Sequence, residues 1–119
     1  MSQEFQAGDF LVFQIESGYA MLRVLAVDDF AHETVWHVAV YRDFYLDVDS
    51  ADAAASSPET LKADIDHVAL TDRAFESTQV AKLKNIPLQA SETEPYEKWK
   101  SSSDREISDR SIRLHLGLR

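Results

Sequence analysis

The 119-residue chain contains no cysteine. Disulfide frameworks, cysteine-bound zinc, iron–sulfur clusters and thiol nucleophiles are thereby excluded, and a reducing compartment suits the composition. Only three glycines occur, too few for a loop that cradles phosphate with backbone N–H groups. No Gly-x-Ser-x-Gly element is present, so the serines lack a nucleophile elbow. Apolar runs stop well short of the roughly 18–20 residues of a membrane-crossing helix. The opening MSQEFQAGDF has no basic segment followed by an apolar one, so no signal peptide is expected. Basic residues are scarce, 12 against 21 acidic, for a formal net charge of −9. Such a surface repels phosphate backbones and argues against nucleic acid; it either serves solubility alone, as in many acidic proteins, or favours a basic protein as partner. Together these features lead to the expectation of a cytoplasmic protein with no membrane and no nucleic-acid partner.

What the chain does have is a clear run of strands. After the turn signal Gly8-Asp9, Phe10, Val12 and Gln14 alternate with Leu11, Phe13 and Ile15, and such residues favour strands. Glu16-Ser17-Gly18 breaks the run with a glycine suited to positive φ. A second apolar run, Tyr19 to Val27, completes a hairpin signature. Arg23 is the lone charge inside it and is expected to reach solvent at an edge or pair with a carboxylate. After the punctuation Asp28-Asp29-Phe30-Ala31-His32, a third strand begins at Glu33, bulky on both faces and therefore central. Three strands with short links predict an antiparallel meander.

The rest is less regular. Residues 47–58, small and acidic, read as a loop. Ser57-Pro58-Glu59-Thr60 reads as the start of a short helix. Residues 63–75 are ambiguous: Ile65, His67 and Ala69 alternate with Val68 and Leu70, which allows a strand, or a short helix begins at Thr71 instead, and 78–89 likewise admit either state. Around Pro95 a helix of one or two turns places Tyr96 and Trp99, three apart, on one face. SSSDREISD is a polar loop. Ile112, Leu114 and Leu116 alternate with Arg113 and His115, predicting a closing strand. The expected architecture is one domain over residues 1–119: α+β but mostly β, a small antiparallel partly open barrel with an N-terminal meander and one or two short helices.

Chemistry-bearing constellations are sparse. His32, His37, His67 and His115 show none of the close spacings of metal-binding histidines. His37 and His115 fall on strand faces as packing or surface residues. Asp47, Asp49 and Asp52 are spaced like the start of a calcium loop, but the glycine at the sixth position is missing and the twelfth is Pro58. They form either a solvated loop or a negative patch offered to a basic protein. Tyr96 and Trp99 either cap the open end of a small barrel or anchor an interface. No catalytic residue, metal ligand or cofactor follows from these patterns.

GDFLVFQIESGYAMLRVL, through Gly8-Asp9, Gly18-Tyr19 and Arg23-Val24, resembles the opening of a group of small β-rich bacterial immunity proteins, immunity protein 26 and its relatives, of polymorphic toxin systems. Ile86-Pro87-Leu88 is similar to a further element of that group. The resemblance covers the first third of the chain and this one short element. It implies binding and neutralising a cognate toxin, with no catalytic residues to carry over. The expectation is therefore a non-catalytic binding protein, an immunity-type inhibitor of a basic toxin. Its binding residues would be Asp47, Asp49, Asp52, Tyr96 and Trp99. The alternative is a small-molecule-binding or enzymatic cupin-like barrel, and a homo-oligomer would cover an apolar sheet face with its twin.

Overall fold

The computed structural model describes residues 5–30 and 32–117. Ala31, in the punctuation between the second and third strands, lies outside them. Five strands, β1 (Asp9–Ile15), β2 (Gly18–Phe30), β3 (Glu33–Tyr45), β4 (Ala63–Thr71) and β5 (Ala81–Asn85), form one sheet in the order β4-β3-β2-β1-β5. Every pairing is antiparallel. The predicted meander is present and extends through β4. The sheet does not close, so the partly open barrel of the sequence reading is realised as an open sheet with β4 and β5 at its edges. Among the described residues four helices complete the fold: α1 (Val48–Ala55), α2 (Asp72–Glu76), α3 (Ala90–Ser101) and α4 (Ile112–His115), with a 3-10 turn at Pro58–Thr60. The architecture is α+β and mostly β, and no helix among the described residues is long and apolar enough to cross a membrane.

Alternation along the strands builds two apolar faces. Leu11, Phe13, Leu22, Val24, Val38 and Leu70 line one, covered by Phe75 of α2 and Ile112 of α4. Trp36 stacks on Phe75 at 4.1 Å between ring centres and donates its indole N–H to Asp72 at 2.8 Å. The other face carries Phe10, Val12, Met21 and Tyr41 under Ala51 and Ala55 of α1, then Leu25 and Ala39 under Tyr96 of α3.

Three expectations are corrected. Residues 48–55 are helix α1, not loop. Asp47 caps its first turn by accepting from the Ser50 N–H at 2.8 Å, and buried Ala51 and Ala55, four apart, let the helix lie close on the sheet. Small residues read as loop composition because the apolar stripe consists of alanines. Ile112–His115 is helix α4, capped by Ser111, not a closing strand. The chain does join the sheet, but earlier, where Ser108 pairs with β4: its N–H donates to Ala69 O at 2.8 Å and its carbonyl accepts from Thr71 N at 3.0 Å. His115 therefore sits on a helix, 2.9 Å from Ser108 Oγ, not on a strand face. Third, Gly18 does not have positive φ. It is the first residue of β2, and a Cβ there would fall 2.2 Å from Tyr45 O. Its requirement is close approach of the end of β3.

Gly18→Ala should therefore force the end of β3 away from the hairpin. A loss of about 1–3 kcal/mol is expected by urea denaturation. An unchanged midpoint would show that the backbone moves aside freely.

Candidate functional site

Two charged or titratable side chains, Arg23 and His37, are fully buried on the sheet face that α3 covers. Strand register explains the position of His37. It lies opposite Ala69 of β4, so His67, two residues earlier on that strand, shares its face. His37 Nδ1 and His67 Nε2 stand 2.9 Å apart, with the rings near parallel at 14°. His37 Nε2 lies 3.3 Å from Asp28 Oδ2 of β2, but out of line for a hydrogen bond. Tyr96 donates its hydroxyl to that same Asp28 oxygen at 2.5 Å. Trp99 sets its indole edgewise on His37 at 4.6 Å and donates its N–H to Glu106 O at 2.9 Å.

Burial, followed by the neighbouring His67, pushes the His37 imidazole down to about 4, against a smaller upward pull from Asp28. Burial also lowers His67. Burial first, and then the Asp28 carboxylate, raises the Tyr96 phenol. At neutral pH both imidazoles are uncharged, and one N–H is shared between them. The Tyr96–Asp28 hydrogen bond and the Trp99 ring on His37 pin α3 to the sheet. Among the described residues no group of three or more His, Asp or Glu side chains could hold a metal ion.

Arg23 carries a full charge into the middle of the sheet. Its Nη2 is 3.0 Å from Glu92 Oε2 in the first turn of α3, and the guanidinium lies over the Phe10 ring at 3.9 Å. Nε and Nη1 have no acceptor among the described residues. Burial lowers the Arg23 pKa and Glu92 opposes that shift. The nearby Tyr41 phenol is pushed up to about 12, chiefly by burial. Of the two outcomes expected for Arg23, an edge or a carboxylate partner, the structure shows the second: the arginine is buried and Glu92, itself only partly buried, meets it.

The structure brings Tyr96 and Trp99 together on α3, as their spacing predicts, and places both rings on the histidine pair. It does not join them to the predicted aspartates, which belong to α1. Asp47 is a helix cap, Asp49 is exposed in the first turn, and Asp52 forms an ion pair with Lys84 at 3.3 Å. Beside them is a feature that the sequence reading missed. Phe44, Leu46 and Val48, at the corner between β3 and α1, are 52%, 86% and 40% exposed. Exposed Asp43, Asp47 and Asp49 alternate with that stretch. Leu46 read there as the tail of a strand, and only its place past the last strand pairing exposes it. Asp28, His37 and His67 gave no sequence signal, because strand register alone makes them neighbours.

The histidine cluster gives a pH dependence of definite sign. The folded value of His37 lies below the ordinary 6.5, so the unfolded chain takes up the proton first as pH falls. Stability is complete above about pH 6.5 and declines as pH falls towards 4. The contribution at stake is roughly 2–3 kcal/mol. Thermal unfolding followed by circular dichroism between pH 8 and pH 4 should show the decline. His37→Gln should begin less stable and lose most of that slope, and a variant that keeps the full slope would assign it to other groups.

Compared with protein-family models, with curated proteins and with solved structures, the chain finds no match, so what it does is read from its own side chains.

Proposed function

We propose that the protein is a non-catalytic binding protein that engages a basic protein partner through the β3–α1 corner, in the manner of an immunity-type inhibitor. The observation that carries this reading is the corner itself. Within five residues it presents Phe44, Leu46 and Val48 to solvent, Leu46 almost wholly. Isolated exposed apolar residues are ordinary, but an aromatic, a leucine and a valine together supply the anchors of an interface. The exposed carboxylates of Asp43, Asp47 and Asp49 supply a negative rim. That rim, with the net charge of −9, steers a basic surface towards the apolar anchors. The same charge opposes a second copy of the chain at this corner, although light scattering would detect such a dimer directly.

The test compares three proteins side by side as affinity baits in host lysate: the native chain, Leu46→Asp, and the triple variant Asp43→Asn, Asp47→Asn, Asp49→Asn. Asparagine still caps α1, and Leu46 supports no core, so both variants should fold. A basic protein held by the native chain should bind Leu46→Asp roughly 30-fold more weakly, as for an interface hot spot. For the triple variant its association should slow, with a flatter dependence on salt. Retention that ignores both changes, or capture of nothing basic, overturns the reading.

A further inference from the structure

Two adjoining depressions lie on the α3 side of the sheet. One has a volume of about 150 Å³, with Leu25, Ala39 and Tyr41 of the sheet, Leu61, and Pro95 of α3 around it. The other, of about 390 Å³, extends from it past Ile86, Pro87 and Gln89. Pro58, Leu61, Ser91 and Glu92 border both, so the two form one groove between the start of α3 and the Pro58–Thr60 turn. The smaller depression is below the roughly 300–1,000 Å³ of sites for free small molecules. It suits a single side chain.

The polar groups on its rim are mainly anionic. Glu92 and Asp66 border the smaller depression, and Glu59 the larger. Glu92 is held in place rather than left to wander. Its carboxylate accepts from the Gln89 N–H at 3.0 Å, closing the capping box of α3, and pairs with Arg23 from below. Arg23 balances Glu92. Asp66 and Glu59 have no ion-pair partner among the described residues. Apolar walls with a preorganised carboxylate and uncompensated negative charge at the mouth match one chemistry: an alkyl stem ending in a cation.

We infer that this groove receives a lysine or arginine side chain of the basic partner, with the stem against Leu25, Leu61 and Pro95 and the head among Glu92, Asp66 and Glu59. The inference rests on the partner being basic, as argued for the corner. The geometry joins the two surfaces. Leu46 precedes α1 and Pro58 follows it, and the eight residues of α1 span about 12 Å. A standard interface, about 800 Å² on each partner, is wide enough to reach across that span.

The groove can be tested without the partner. The probe is Nα-acetyl-lysine methylamide, titrated into the full chain and followed by amide chemical shifts. Its controls are the Nε-acetylated compound and the norleucine analogue, which keep the stem and lose the charge. Saturable shifts are expected at Leu25, Ala39, Leu61, Ser91 and Glu92, with both controls at least fivefold weaker. Asp66→Asn, at an exposed site, should weaken binding by about two- to fivefold. Ser91→Trp should block the groove while the spectrum stays that of the folded protein. Equal binding of the controls, shifts spread over the acidic surface, or no shifts would overturn the inference. Failure here leaves the corner to stand or fall on Leu46→Asp. Success here alongside normal partner binding by Leu46→Asp would keep the groove and discard the corner.

Discussion

A guanidinium with no solvent exposure sits in the central strand of this sheet, and much of the α3 side follows from it. An unpaired charge there would cost several kcal/mol, roughly 3–5 when one partner of a buried pair is removed. Glu92 supplies the pairing, so the first turn of α3 must lie over β2. The capping box then fixes the direction of the helix. With its start and direction set, Tyr96 and Trp99 come down on Asp28 and His37. The same pairing leaves the groove between α3 and the Pro58–Thr60 turn, with Glu92 at its rim.

The two helices on this face are held by different means. α1 lies close to the sheet through alanines, and its polar residues face solvent or reach Lys84. α3 has a single buried residue, Tyr96, so directional contacts hold it: Arg23 with Glu92, Tyr96 with Asp28, and the indole edge on the imidazole. Directional contacts depend on charge state as well as packing. The opposite face, with Trp36 stacked on Phe75 and bonded to Asp72, relies mainly on apolar burial.

Much of the β framework was legible in the chain. Alternation in β1, the short link to β2 and the two-sided bulk of β3 follow from periods that any strand obeys. The Tyr96 and Trp99 spacing likewise placed both rings on one helical face. Reading failed where composition and period pointed different ways. In α1, alanines and aspartates hid a helix because a stripe of small residues carries little apolar signal. At Ile112–His115, four residues are too few to separate alternation from a single helical turn.

The sequence by itself determined a mostly β chain with an antiparallel meander, an acidic surface, and a lone arginine in an apolar strand that had to reach either solvent or a carboxylate. These are local or additive properties. Tertiary structure alone decided which carboxylate met Arg23, that His37 and His67 share one hydrogen bond, and that Phe44, Leu46 and Val48 stand uncovered. Each depends on strand register or helix placement between residues far apart in the chain, and a shift of one residue in register would send His67 to the opposite face.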